Sequence, residues 1–600
     1  MGGFFMNILK QKLEPFCLDE VKLLDSYELN AFELEKKYLL SLDEDRLLRG
    51  FCDIAKIEST AELYGGWENS NIQGHTMGHY LTALSQAFAS TKNIAFEKKI
   101  DRILDVLGEC QKKNGGYLAA IPEAHYHVVE TGSTEGVWVP WYSMHKIFSG
   151  LIAAFELAGK EKALEIVSAL GDWVYSLTSQ WTGETQSKVL SIEYGGMNDC
   201  LYQLYSHTKS EKHLVAAHSF DEISLFEPLY KNKDILDGKH ANTTIPKIIG
   251  ALRRYLVLGE SEEFYLHTAM NFWDIVVNNH TYITGGNSEW EHFGESRILD
   301  AERTECNCET CNTYNMLKLT RELFRITGDR KYADYYENTF INAILSSQNP
   351  ETGMTTYFQP MATGYFKVYS SPEENFWCCT GSGMENFSKL QDSIYFKDDN
   401  SLYVLRYTSS EVTFQEKGIV IIQQTDLPKA VFTVKGNGEL DLVLRIPDWC
   451  KKAPEIRING KAFRAKEEKG FVRISRSWLD GDIIRLELPM QITAHPLHDN
   501  KTAIAFRYGP YVLSADLGKE KMLTGLTGVN VTVPLADREM NGNIKITDAG
   551  LSDWLENISN NLERQGDSFN FTLHGTDRKL VFSPHFRQHK SRYGIYFRFS

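Results

Sequence analysis

Residues 323–336 read LFRITGDRKYADYY. An apolar helix end carrying Leu323, Phe324 and Ile326 runs into Gly328, and a second helix opens at once with Tyr332, Tyr335 and Tyr336. Glycine just past a helix supplies the left-handed cap that ends it, so the stretch reads as the turn of an αα-hairpin. The unit recurs at FELAGKEKALEI (155–166), LYSHTKSEKHLVAA (204–217) and YLVLGESEEFYLHTA (255–269), with a weaker copy at FASTKNIAFEKKI (88–100). These turns lie roughly 50–70 residues apart, about two helices each. About six hairpins therefore fit between residues 20 and 390, stacked as an open solenoid or closed as an α/α toroid. The loops between them are long and rich in Gly, His and Trp, and in a toroid they converge on one mouth where function gathers. That favours the toroid.

Beyond residue 393 the pattern changes to short alternating runs such as SLYVLRY, AVFTVKG, LDLVLRI, FVRISRS and DIIRLELP, separated by Gly, Asn, Asp and Pro. These predict antiparallel β-sandwich structure. The expected division is a helical catalytic domain over residues 1–392, a β-sandwich over 393–500 and a second over 501–600. The first ~20 residues are expected to pack on the β region.

With 600 residues the chain is too long for one core. A formal net charge of −15, with no basic stripe to offset it, argues against nucleic acid or an anionic membrane as partner. No apolar run reaches the ~18 residues of a membrane span, and MGGFFMNILKQKLEPF lacks the layout of a secretory signal. Cys17, Cys52, Cys110, Cys200 and Cys450 stand singly, which reads as reduced thiols and a cytoplasmic protein. Aromatic residues reach 12%, more than most cores need, and suit the stacking of sugar rings.

The remaining five cysteines form two clusters, Cys306-Asn307-Cys308-Glu309-Thr310-Cys311 and Cys378-Cys379. Thiolate with carboxylate suits Zn²⁺. A disulfide, or a closed structural site of Cys308, Cys311, Cys378 and Cys379 with Glu309 merely solvated, fits the spacing too. His75 and His79 in GHTMGHYL share a helical face without the glutamate of a metalloprotease. His145 follows a Trp-rich loop and His240 precedes Ala241-Asn242. A lone histidine is more often structural, but four in convergent polar-aromatic loops point to a polyol site.

Taken in order, GHTMGHYL (74–81), VWVPWYSMHKI (137–147), EYGGMND (193–199), DGKHANTTIPK (237–247), ITGGNSEWEHFGES (283–296), the ETC of residues 309–311, WCCTGSGMENFSK (377–389), LRIPDW (444–449) and RYGPYVL (507–513) form a specific set. That set resembles the β-L-arabinofuranosidases of glycoside hydrolase family 127 and its relative family 146. The resemblance implies an (α/α)6 barrel followed by β-sandwich domains, and a zinc-bound cysteine as nucleophile of a retaining hydrolase. It implies Glu309, Cys311, Cys378 and Cys379 as zinc ligands, Cys378 as the nucleophile, and Glu295 of the GES motif as acid/base. His145, His240, Glu337 and Tyr357 match sugar-contacting positions. His75, Glu193 and Asn198 are assigned to the same mouth by their nearness to the motifs. Cys306 and Cys308 are extra thiols, expected to pack nearby.

The implied substrate is a small arabinose- or pectin-derived oligosaccharide ending in β-L-arabinofuranose; linkage and oligomeric state, a homodimer included, are not fixed by the sequence. Two other readings are an epimerase, glucuronyl hydrolase or lyase on the same toroid, and a carbohydrate-binding protein with structural zinc. The first group has no need of Cys378-Cys379 beside a Glu-x-Cys motif.

Overall fold

The structure, a computed structural model, describes residues 12–464, 466–535 and 542–600. Six helices form an inner ring: His75–Thr91, Pro140–Ala158, Met197–Thr208, Ala241–Leu258, Thr310–Thr327 and Cys378–Phe387. Each packs on the next, and the sixth returns to the first, so the ring is closed. The inner helices are buried on nearly every side, whereas outer ones such as Ile94–Lys113 and Arg330–Thr339 are amphipathic, as an (α/α)6 barrel requires.

The hairpin turns end as their residues dictate. Gly159 and Gly328 hold left-handed caps at φ +67° and +65°. Lys92 and Lys209 take the same conformation without glycine. The closest approach in the ring joins the first two inner helices. A Cβ on Gly78 would meet the Lys146 carbonyl oxygen at 2.1 Å, and one on Gly150 would meet the Gly78 carbonyl at 2.5 Å.

Two sheets of six and seven strands make up the first β unit. Both take a strand from the N-terminal segment: Glu14–Pro15 pairs with Tyr395–Lys397, and Val21–Leu23 pairs with Ser410–Phe414. A single apolar core runs from the inner and outer barrel helices into these sheets. The second β unit is built on one nine-stranded sheet, with a separate hairpin of Thr524–Leu526 and Thr532–Pro534. No helix among the described residues is long and apolar enough to cross a membrane.

Two C-terminal motifs explain themselves as docking devices. Arg445 of LRIPDW pairs with Glu337 at 2.6 Å, and the Trp449 indole donates to the other Glu337 oxygen at 3.0 Å. In RYGPYVL the Pro510 carbonyl and Val512 N–H both bond the Asn342 side chain. Glu337, expected at the sugar, is thus engaged between barrel and β-sandwich. Its charge is matched there by a fully buried guanidinium, which explains why a carboxylate can be buried at all.

Inside the ring, His79 faces Glu385 across 2.5 Å, and Tyr314 donates to the second Glu385 oxygen. Burial, aided by Lys146, pushes His79 down to about 4. Burial opposes ionisation of Glu385, but His79, Lys318 and Lys146 together hold it at about 2. Between pH 6.5 and 4 the unfolded chain therefore binds a proton at His79 that the native state refuses, so stability falls as the pH falls. By pH 5 the loss from this one group is expected to reach about 2 kcal/mol. Urea unfolding at pH 7.5 and pH 5 measures it, and His79→Gln is expected to flatten the dependence.

Candidate active site

Two adjacent inner helices begin side by side at the barrel mouth. Trp377, in an extended conformation, precedes the first turn that carries Cys378 and Cys379, and Glu309 precedes the first turn that carries Cys311. Helix N-termini point free N–H groups and a partial positive charge at whatever lies there, which favours thiolate and carboxylate. The four donor atoms of Glu309, Cys311, Cys378 and Cys379 all lie within 4.8 Å of one another and all four residues are buried. Cys378 Sγ is 3.6 Å and Cys379 Sγ 3.7 Å from Glu309 Oε1. Cys379 Sγ is 3.2 Å from Cys311 Sγ and 3.9 Å from Cys378 Sγ.

Among the described residues, the positive charge felt at this group comes from Lys146, which helps lower Cys311. Glu309 Oε2 is buried without a partner. Burial pushes the Glu309 carboxyl and the Cys378 and Cys379 thiols well above their usual values. Cys311 is pushed up by burial too, but hydrogen bonds from Cys378, Cys379 and Ser382 pull it well below. Three thiols and a carboxylate gathered out of water, with an orphaned oxygen, form a donor set that could hold a metal cation.

The surplus thiols fall on different sides. Cys306 packs in the apolar cluster of the mouth with Cys311, Cys378 and Cys379, outside the four-donor group. Cys308, at φ +53°, turns away into a cluster with Tyr282 and Tyr596. The four-thiol alternative through Cys308 is therefore replaced by a site in which Glu309 is the fourth donor. The ten cysteines are free of disulfides.

From Cys378 a polar chain leads outward. Its Sγ lies 3.5 Å from the Tyr357 hydroxyl, which in turn donates a short hydrogen bond to Glu291 Oε1. Glu291 Oε2 faces His240 Nε2 at 3.4 Å. His240 caps the fourth inner helix and its Nδ1 accepts the Thr243 N–H at 3.3 Å, so the neutral tautomer carries its proton on Nε2, toward Glu291. Burial pushes Glu291 up, but His240 and Tyr357 outweigh it and hold it below the usual carboxylate value. Burial likewise depresses His240, yet Glu291 and Glu193 carry it above its usual value. The backbone is strained here: Ser288, Trp290 and Glu291 have φ of +81°, +42° and +70°. Conformations of this kind, costly for side chains with a Cβ, gather at functional sites.

Glu295 is not part of this chain. It is exposed, four residues further along the same loop, where it packs by Glu302. The carboxylate that reaches the thiol cluster is Glu291. The GHTMGHYL and EYGGMND residues divide similarly. His75 is fully buried with its ring nitrogens against the carbonyls of Ile72 (3.0 Å) and Phe376 (2.9 Å), supporting the segment before Cys378. Asn198 is buried between inner helices, donating to the Lys247 carbonyl at 3.0 Å, and does not line the mouth. His145 is buried behind the site, its Nδ1 accepting the Gly196 N–H at 3.0 Å. Glu193 is half-buried at the mouth, near enough for its charge to raise both His240 and Glu309. Tyr357 and His240 both belong to the polar run that starts at Cys378. Sequence reasoning gave no role to Glu291, Tyr142, Ser382 and the mouth tryptophans Trp67, Trp138 and Trp377, although all of these but Trp67 lie within the motifs quoted above.

A closed helical barrel with polar and aromatic residues around a thiol–carboxylate centre at one mouth is the architecture of a carbohydrate-active enzyme. Family comparison gives the class: residues 20–392 match the model described as the β-L-arabinofuranosidase GH127 catalytic domain, and residues 401–490 match the GH127 middle domain. Residues 493–599 match a domain of unknown function. The chain belongs to the GH127 family and is a glycoside hydrolase. It is similar to a non-reducing end β-L-arabinofuranosidase of Bifidobacterium longum subsp. longum, 21% identical over 551 residues that cover 79% of this chain and 81% of that one. A solved GH127 β-arabinofuranosidase superposes with TM-score 0.75 at 18% identity, covering 99% of both chains. The GH127 β-L-arabinofuranosidase of Geobacillus stearothermophilus T6 gives 0.70 at 18% identity, over 97% of this chain and 100% of that one.

Proposed function

We propose that this glycoside hydrolase releases terminal β-L-arabinofuranose with retention of configuration, using Cys378 as nucleophile and Glu291 as acid/base. The substrate reading rests on the family and on the printed activities of the relatives. The observation that carries the residue roles is the run Cys378, Tyr357, Glu291 and His240, which connects a thiol to a carboxylate paired with a histidine.

Glu309, Cys311, Cys378 and Cys379 would hold Zn²⁺. Two thiolates at about 2.3 Å from a tetrahedral zinc stand ~3.8 Å apart, and the pair Cys378–Cys379 is at 3.9 Å. Zinc supplies positive charge that keeps a buried sulfur ionised and fixes its direction. Cys378 is favoured over Cys379 because its sulfur faces Tyr357, whereas Cys379 is wholly buried between Cys311 and Glu309.

In the first step the Cys378 sulfur attacks the anomeric carbon and the bond to the leaving oxygen breaks, while Glu291 gives that oxygen a proton. The proton is drawn from the Glu291–His240 pair, in which Glu291 and Glu193 raise His240 above its usual value. Tyr357 orients Glu291 and lies against the sulfur. In the second step Glu291 removes a proton from water, water adds to the same carbon, and the carbon–sulfur bond breaks to restore the Cys378 thiolate. Glu295, the acid that the motif resemblance implies, is exposed and lies outside this run.

Hydrolysis of an aryl β-L-arabinofuranoside, with and without a chelator, tests the reading. Wild-type protein is expected to carry one zinc per chain by elemental analysis, to lose activity on chelation and to regain it with Zn²⁺. Glu309→Gln is expected to lower zinc content and activity together, since a neutral amide offsets no cation charge. Full activity in a metal-free chain contradicts the site.

A further inference from the structure

The second β unit sends a hairpin onto the barrel mouth. Its strands, Thr524–Leu526 and Thr532–Pro534, are joined by a tip in which Thr527 N–H bonds the Val531 carbonyl at 2.9 Å and Asn530 N–H bonds the Thr527 carbonyl at 3.0 Å. Asn530 takes a left-handed conformation, φ +61°, suited to asparagine. Two carbonyls of this tip receive indole N–H groups of the mouth: Val529 from Trp67 at 2.8 Å, and Asn530 from Trp377 at 3.1 Å. Trp377 is the residue before Cys378, and Trp67 stands edge-on to Tyr357 and Trp138 at 6.2 and 5.0 Å. Val531 and Val533 are buried in the same apolar cluster as Cys311, Cys378, Cys379 and Tyr357.

The tip is thus anchored beside the thiol centre by its backbone and by one set of side chains. Another side chain remains in water: Val529 is 45% exposed at the tip. Its carbonyl is fixed on Trp67, so its position relative to the mouth is set by two rigid partners rather than by a free loop.

We propose that this hairpin is a wall of the substrate site, and that Val529 contacts the sugar unit beyond the bond being cleaved. The proposal deepens the glycosidase reading and rests on it. A retained terminal furanose over Cys378 is held by Tyr357, Glu291 and His240, all on the barrel. The next unit would leave through the mouth, where the tip is bonded to Trp67 and Trp377. Val529 there offers an apolar contact to the C–H face of a sugar ring. The domain of unknown function would then contribute specificity for the leaving group while the barrel contributes the chemistry.

The test uses the full-length zinc-loaded protein, an arabinofuranosyl disaccharide as substrate and free L-arabinose as a competitive inhibitor. Val529→Asp is expected to raise KM for the disaccharide about tenfold, and Val529→Ala roughly threefold. Neither is expected to move kcat or the inhibition constant of L-arabinose, because the barrel site is untouched. A structural role alone would move KM, kcat and that inhibition constant together, or none of them, and either result overturns the proposal. Should the aspartate variant fold poorly, the alanine variant decides. Failure of the underlying reading has a different signature: the wild-type chain would release no arabinose from either substrate, and both claims would fall.

Discussion

Replacing Cys378 by serine is expected to abolish turnover, by on the order of 10⁵–10⁶-fold, or about 7–8 kcal/mol of barrel-site catalysis. The effect has two sources. Serine is not ionised near neutral pH and is a poorer ligand for a soft cation, so both nucleophile and metal site suffer. Cys379→Ser should also weaken metal binding, because Cys379 sits between Cys311 and Glu309 at 3.2 and 3.7 Å. The two variants are separated by saturating zinc. With the metal restored, Cys379→Ser is expected to recover part of its activity and Cys378→Ser none. Steady-state rates beside metal content per chain provide the comparison.

The second large effect concerns Glu291. Glu291→Gln is expected to slow cleavage of a disaccharide by about 10²–10⁴-fold, the usual value of a positioned acid. An activated aryl furanoside needs little proton donation, so its first step should be slowed far less. The same substitution at Glu295, which is exposed and outside the run from Cys378 to His240, is expected to leave both substrates within about threefold of wild type. If the Glu295 variant showed the leaving-group dependence and the Glu291 variant did not, the assignment would revert to Glu295.

The sequence carried the fold well because helical hairpins write their turns locally. Gly159 and Gly328 end helices wherever they occur, and alternating runs after residue 393 mark strands by period alone. Closure of the ring was less visible. It depends on contacts such as Gly78 against the Lys146 carbonyl, which no local pattern announces. At the site, the thiol–carboxylate cluster was legible because Cys and Glu in tight clusters have few alternative uses. The acid proposed above was not. Glu289, Glu291 and Glu295 lie in one loop, and only the left-handed backbone at Trp290 and Glu291 aims one of them at Tyr357. Glu337, His75 and Asn198, expected at the sugar or the mouth, have one feature in common. Each is a buried polar residue that supports packing, through Arg445, through the Ile72 and Phe376 carbonyls, and through the Lys247 carbonyl. A buried polar residue with satisfied bonds looks the same in sequence as one that meets a ligand. The contribution of residues 524–534 to the mouth could not be read at all, since it joins positions over 400 apart in the chain, Trp67 and Val529 among them.

The central claim is that sulfur, not a carboxylate, attacks the sugar. An arabinofuranose-shaped electrophile such as an epoxide or haloacetamide, incubated with the zinc-loaded protein and followed by peptide mass mapping, tests it directly. Labelling of Cys378, blocked by excess L-arabinose, is the predicted result. Labelling of Glu291 or another carboxylate would contradict the account and restore two-carboxylate retention, and labelling of Cys379 would show the two sulfurs to be reversed.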